Sequence, residues 1–293
     1  MGIGDDCAVL RIPAGEEALV TTDFSLEGVH FRREWHPPDS VGHRCLARGL
    51  SDIAAMGGTP RAAFLSLALP EELPRKWVNA FIAGFLKLAR RYSVPLAGGD
   101  TAQSPDGILA DIVVLGSVAA GEAVLRSGAR PDDRIYVTGT LGAAVADLEQ
   151  LREGKRLPPQ SHRKHFYPEP RVAIGRFLRE KKLVSAMIDI SDGLSTDLSH
   201  ICEESGVGAM IRADRIPGAV RGKDSLRFAL HGGDEYELLF TAGPERRLPD
   251  QVAGVAITQI GEIVRGKQMK LVRRDGSTEP LLARGWEHFK RSG

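Results

Sequence analysis

The sequence predicts an α+β protein of two domains, and three observations carry that prediction. At 293 residues the chain is long for one domain and comfortable for two, each able to bury its own core. Strand-like and helix-like segments follow one another without strict alternation, which favours α+β over a doubly wound parallel sheet. A polar "RPDD" turn at residues 130–133 separates two halves of similar style, which places one domain at 1–130 and the other at 131–293.

The elements follow in order. "EALVTTD" reads as a strand ending in a polar cluster. "VGHRCLARGLSDIAAMG" has helical spacing through Val41, Cys45, Leu46, Leu50 and Ile53, and Gly57-Gly58 stops it. "RAAFLSLALP" reads as a strand. "PRKWVNAFIAGFLKLARRYSV" is an amphipathic helix with apolar residues at Val78, Phe81, Ile82, Phe85, Leu86 and Ala89. "VPLAGGDT" is a short strand breaking into a Gly-rich turn, and "ILADIVVLGSVAAG" is another strand. In the second half, strand "RIYVTGT" and helix "LGAAVADLEQL" lead to a Pro-rich link, "LPPQSHRKHFYPEP". Helix "RVAIGRFLREKK", strand "SAMIDI" and helix "LSTDLSHICEES" come next, with strands near "GAMIRA", "YELLFT", "VAITQIGEIV" and "MKLVRR".

Composition excludes several classes of function. Lys plus Arg at 39 nearly balances Asp plus Glu at 38, so no global field recruits nucleic acid or an anionic membrane. Cys7, Cys45 and Cys202 are isolated and far from metal-ligand spacing, which argues against a zinc site or disulfide framework and for a reducing cytoplasm. No apolar run reaches the roughly 18 residues needed to span a bilayer. The opening "MGIGDDCAVL" lacks the basic and apolar regions of a signal peptide.

The informative pattern is a set of small-residue turns bearing Asp. They are "GIGDDCAV" (Asp5, Asp6), "VTTDFS" (Asp23), "LAGGDT" (Asp100), "IDISDG" (Asp189, Asp192) and "HGGDEYE" (Asp234, Glu235), with Asp52 of "GLSDIAAMGG" placed within a helix. Taken singly, each has an ordinary structural explanation as a turn or a helix cap, the latter worth about 0.5–2 kcal/mol. Together, their mutual repulsion calls for a divalent cation. Carboxylate oxygens without His or Cys neighbours suit Mg²⁺, which keeps waters and bridges to phosphates. That points to a polyphosphate such as ATP. No Walker-type loop, protein-kinase H-R-D loop, H-E-x-x-H or G-x-S-x-G sequence is present. Arg126 and His30 are candidate anion contacts by position, although each is more commonly a solvated or packed side chain.

With these residues identified, the chain resembles the thiamine-monophosphate kinase family. The resemblance runs in order through "GIGDDCAV", "TTD" with "EGVHF", "LSDIAAMGG", "GGDT", "RSGARPDD", "DISDGL", "GGDEYELLF" and "GWEHF". Aminoimidazole ribonucleotide synthetase, selenophosphate synthetase and the hydrogenase maturation dehydratase share the architecture. The resemblance implies the two-domain aminoimidazole ribonucleotide synthetase-like fold. Its N-terminal domain, a mixed sheet with helices, binds ATP and Mg²⁺ and pairs with its copy in a homodimer. Its C-terminal α/β sandwich closes the active site. The implied reaction is direct in-line transfer of the ATP γ-phosphoryl group to thiamine monophosphate, with several Mg²⁺ ions and no covalent enzyme nucleophile.

Carried over position by position, Asp6, Thr21, Thr22, Asp23, Asp52, Asp100, Asp189 and Asp192 resemble the family's metal ligands. Gly99, Asp100, Arg126 and Ser191 resemble nucleotide contacts, and His30, Asp234 and Trp286 substrate contacts. Two readings stay open beside this one: a related synthetase with another acceptor, and a non-catalytic sensor of nucleotide or thiamine phosphate. The chain also departs from the family pattern twice. The family reads "GGEDYE" where this chain has "GGDEYE", which moves a carboxylate by about one C–C bond, ~1.5 Å. The family also carries a segment before "GIGDD", whereas this chain opens on that motif, so a shortened chain is expected to leave Asp5 and Asp6 on a frayed end.

Overall fold

The structure, a computed structural model, describes residues 7–286. The chain divides into two compact units. The first comprises residues 1–54, 58–123 and 158–172, and the second comprises residues 55–57, 124–157 and 173–293. Each combines helices with a mixed sheet, so both are α+β.

In the first unit, β1 (Glu16–Leu26), α1 (Pro38–Ala55), β2 (Thr59–Pro70), α2 (Arg75–Arg91), β3 (Leu96–Gly98), β4 (Thr101–Ser104) and β5 (Leu109–Ala119) follow in order. The sheet runs β1-β5-β2-β3, with β4 also pairing β2. The β1–β5 and β2–β5 pairings are antiparallel, whereas β3 and β4 run parallel to β2. Contrary to the expectation that "EALVTTD" ends a strand, β1 continues through Asp23 in unbroken register to the Leu26–Leu109 pair. The alternation does not stop at the polar residues, because Asp23 and Ser25 keep the inward positions begun by Leu19 and Thr21. α1 is buried on nearly every face from Ser40 to Ser51, and its predicted apolar residues are all at most 2% exposed.

The Pro-rich link is a packed part of this unit. His36 and His165 face each other through their Nε2 atoms at 3.0 Å, and His43 Nε2 donates to Pro168 O at 2.7 Å. Arg44 donates to His165 O, and Tyr167 to Asp39 at 2.8 Å. Asp39, His43 and Arg44 of α1 thus find partners in the returning chain. Burial holds the His43 imidazole below its usual pKa.

The second unit is built on β6 (Arg134–Thr138), α3 (Ala143–Arg152), β7 (Ala186–Asp189), α6 (Leu194–Ser205), β8 (Gly208–Arg212), α7 (Ser225–His231), β9 (Leu238–Ala242), β10 (Gln251–Val252), β11 (Val255–Val264), β12 (Met269–Val272) and β13 (Thr278–Pro280). Helices α4 (Arg163–Phe166) and α5 (Val172–Glu180) lie in the chain between α3 and β7. The sheet order is β13-β12-β8-β11-β6-β9-β7, with β10 on β11. Its core joins Ile135 and Val137 of β6, Ile188 of β7 and Leu194, Leu198 and Ile201 of α6. Among the described residues no helix is long and apolar enough to cross a membrane.

Candidate functional site

On the first unit, the acidic set is assembled from three elements. Thr21 and Asp23 share the face of β1 turned toward α1. There Thr21 Oγ1 donates to Asp52 Oδ2 of α1, and Arg48, one turn earlier, approaches Asp23 with Nη1 3.7 Å from Oδ1. Arg48 is nearly buried, with its side chain 9% exposed, so this is an inbuilt cation for an acidic cluster. Thr22 points to the opposite face and donates to Asp111 Oδ1 of β5 at 2.8 Å. The family resemblance contained neither Arg48 nor Asp111. The only sequence signal for Asp111 is that it interrupts the apolar run of "ILADIVV" with a charge in the middle of a strand.

Gly99 and Asp100 sit between β3 and β4. Gly99 has φ +146, and a Cβ there would overlap Leu65 O of β2, so only glycine fits. Leu65 lies opposite Ile112, which lies opposite Asp23. That row brings Gly99 to the same level of the sheet as Asp23, about 14 Å away across three strand spacings. Asp100 is exposed, and its Oδ1 accepts the Thr101 N–H at 2.8 Å. His30 lies in the turn after β1, where its Nδ1 accepts the Leu26 N–H at 3.0 Å. In the neutral ring this leaves the proton on Nε2. Asp6 lies outside the described residues.

On the second unit, one short stretch supplies the set. Asp189 ends β7 almost fully buried, Ser191 and Asp192 form the turn, and Asp197 lies in the first turns of α6. Asp197 Oδ2 accepts the N–H groups of Asp192 at 3.2 Å and Gly193 at 2.9 Å. Burial, then the charges of Asp189 and Asp192, push the Asp197 carboxyl well above its usual range. Ligand atoms of Asp192, Asp197 and His200 lie within 4.8 Å of one another. Leu125 O accepts the Met187 N–H of β7 at 3.0 Å, which holds the exposed Arg126 alongside that strand.

The same turn gathers two sequence-predicted substrate contacts. Ser191 O accepts the Asp234 N–H at 2.7 Å, and Asp192 O accepts the Trp286 N–H at 2.9 Å. A Cβ at Gly285 would overlap Asp192 O, so the "GW" pair approaches this closely only with glycine at that position. The exchanged pair in "GGDEYE" has a clear division of labour. Asp234 takes a left-handed backbone, φ +60, and its Oδ1 accepts the Tyr236 hydroxyl at 2.6 Å. The longer Glu235 reaches the N-terminus of α3, where Oε1 accepts the N–H groups of Gly142 at 2.8 Å and Ala144 at 3.2 Å. Glu237, fully buried, accepts the Thr138 hydroxyl at 2.7 Å.

The donors at both sets fit a hard divalent cation. They are carboxylate and hydroxyl oxygens with one imidazole at the edge, and no thiolate is among them. The apolar environment of Cys45 and Cys202 raises both thiols to about 12, which removes them as ligands or nucleophiles.

Residues 4–118 match the family described as AIR synthase related protein, N-terminal domain, and residues 130–274 match its C-terminal domain. The thiamine-monophosphate kinase of Salmonella typhimurium is 38% identical over 98% of this chain and 91% of its own length. Among solved structures, the thiamine-monophosphate kinase of Stenotrophomonas maltophilia superposes with a TM-score of 0.85 at 36% identity, covering 94% of this chain and 91% of that one. AaThiL complexed with AMPPCP and TMP gives a TM-score of 0.85 at 32% identity, covering 95% and 89%.

Proposed function

The chain belongs to the AIR synthase related family, and from its likeness to thiamine-monophosphate kinases we propose that it phosphorylates thiamine monophosphate with ATP, yielding thiamine diphosphate and ADP. The observation that carries this reading is the full-length match to AaThiL complexed with AMPPCP, an ATP analogue, and TMP. The acidic turns, with donors that suit a hard divalent cation, support it.

In the reaction, a phosphate oxygen of thiamine monophosphate attacks the γ-phosphorus of ATP. The bond to the β,γ-bridging oxygen breaks, and ADP leaves with that electron pair. The acceptor is already an anion at neutral pH, so the chain needs no strong base and no covalent nucleophile. Its task is to position two anions and neutralise their repulsion. Bound Mg²⁺ supplies charge neutralisation on the phosphates and a template for the line of attack.

On the first unit we assign cation binding to Thr21, Asp23, Asp52 and Asp100, with Asp6 outside the described residues; the Thr22 hydroxyl, on the opposite face with Asp111, does not join this set. Nucleotide contact falls to Gly99 and substrate contact to His30. On the second unit, Asp189 and Asp192 hold cations, while Arg126 and Ser191 contact phosphate. Substrate contact on this unit is assigned to Asp234. Trp286, 46% exposed, presents an aromatic face suited to a cationic thiazolium.

A homodimer and a cytoplasmic location belong to the same proposal. The outer face of the first sheet carries Val20 and Phe24, 67% and 52% exposed, beside the half-buried Leu115, Val113 and Phe64 on neighbouring strands. A face of this kind suits pairing with a second copy. Two buried free thiols accord with a reducing compartment.

The deciding experiment is chromatography of products after mixing the protein with ATP, Mg²⁺ and thiamine monophosphate. The expected result is equimolar thiamine diphosphate and ADP. ADP formation with a different acceptor, and none with thiamine monophosphate, would overturn the substrate assignment. For the dimer, light scattering should show twice the chain mass in the wild type and a monomer in Phe24→Lys.

A further inference from the structure

Asp197 has no part in the roles assigned above, yet it supports the backbone that carries several of them. Its carboxylate is 1% exposed and accepts the consecutive amides of Asp192 and Gly193. That fixes the N–H side of the turn. The carbonyl side is spent on other segments: Ile190 O accepts Tyr236 N–H at 2.9 Å, Ser191 O accepts Asp234 N–H and Asp192 O accepts Trp286 N–H. The first turn of α6 extends the same attachment. Arg284 N–H donates to Ser195 Oγ at 3.4 Å and Gly285 N–H to Thr196 Oγ1 at 3.0 Å. Three successive amides, at 284, 285 and 286, therefore dock on one turn and the helix that follows it.

We propose that Asp197 is a positioning residue that makes the cation-binding turn and the substrate-contacting Asp234 and Trp286 one mechanical unit. Resting on the kinase reading, this means that cation and thiamine-phosphate binding share a single backbone support. A loss of that support moves both. Both of its hydrogen bonds go to backbone N–H groups. Asparagine keeps an acceptor oxygen in the same place, whereas alanine keeps none. The two substitutions therefore separate positioning from ligation.

The test compares wild type, Asp197→Asn and Asp197→Ala by steady-state kinetics and by amide hydrogen exchange. In Asp197→Ala, the KM for thiamine monophosphate and the Mg²⁺ concentration giving half-maximal rate should each rise about tenfold, the usual effect of losing an outer support. In Asp197→Asn both should stay within about threefold of wild type. Exchange at the Gly193 and Trp286 amides should accelerate together in the alanine variant. Asparagine proving as damaging as alanine would make Asp197 a ligand and overturn the proposal. So would a lower melting temperature in both variants with KM and Mg²⁺ requirement unchanged, or faster exchange at Gly193 alone. If the wild type fails to phosphorylate thiamine monophosphate, the kinase reading falls, and the paired exchange at Gly193 and Trp286 still decides whether Asp197 holds the two segments together.

Discussion

On the first unit, Asp23, Asp52 and Asp111 each have a side-chain partner from another element: Arg48, Thr21 and Thr22. On the second, Asp189, Asp192 and Asp197 crowd into one short stretch, and Asp197 leans on backbone amides. The first arrangement carries its own cation. In the second, burial first and the charges of Asp189 and Asp192 next drive the Asp197 carboxyl upward. An acidic cluster with an internal counter-charge is stable before any metal arrives. One whose buried carboxyl is raised by acidic neighbours gains from a cation that offsets those charges, so the second unit should respond more sharply to Mg²⁺ and to loss of a carboxylate.

The largest expected effect is therefore on the second unit. Asp192→Asn should lower thiamine diphosphate formation by about 100-fold or more, while Asp52→Asn on the first unit should cost about tenfold. Product assays at saturating ATP check this, and the reverse order would break the contrast. Next, Arg48→Met removes the inbuilt cation beside Asp23. With Asp23 one-third exposed, the loss should be about 1–2 kcal/mol. Mg²⁺ should recover part of that loss in a thermal melt of the variant and shift the wild type less. If Mg²⁺ shifts both equally, Arg48 is not standing in for a metal.

A smaller effect concerns pH. Burial lowers the pKa of His43 on the first unit and of His231 on the second, the latter with help from the charges of Arg284 and Arg227. Below pH 6.5 the unfolded chain takes up protons that these folded imidazoles refuse. The histidine share of stability is thus level above pH 6.5 and falls as pH drops below it, by at most about 1.4 kcal/mol per pH unit per group and less for the half-exposed His231. His43→Gln should flatten part of that slope in denaturant titrations at pH 5 and 7, leaving the His231 share. A slope unchanged by the substitution would place the proton uptake elsewhere. The smallest effect is chemical: at pH 8 a thiol reagent should label exposed Cys7 and spare Cys45 and Cys202, one in each unit. Rapid labelling of either buried thiol would show that its unit opens locally.

The same contrast explains what the sequence could reveal. The second unit's set lies within a single motif, so "DISDGL" announces it, and the strand-turn-helix reading places Asp189 and Asp192 correctly. The first unit's set depends on sheet register, which no local pattern encodes. Asp111 joins Thr22 only because β5 pairs with β1 in that register, and Arg48 meets Asp23 only because α1 lies over it. Helices with clear apolar spacing were legible, whereas α7 was not, since seven residues give too little periodicity. Glu235 looked like half of an exchanged pair, but its task at the start of α3 depends on a segment far earlier in the chain.

The returning segment 158–172 has a consequence for how this protein can be divided. It belongs to the first unit, yet the chain reaches it only after passing through residues 124–157 of the second. A gene fragment ending at residue 123 would leave His43 and Arg44 of α1 facing solvent where Pro168 and His165 now meet them. No single scissor cut yields two complete modules. The units are thus bound by the order of translation itself, and shuffling them between relatives requires exchanging at least two separate pieces of sequence.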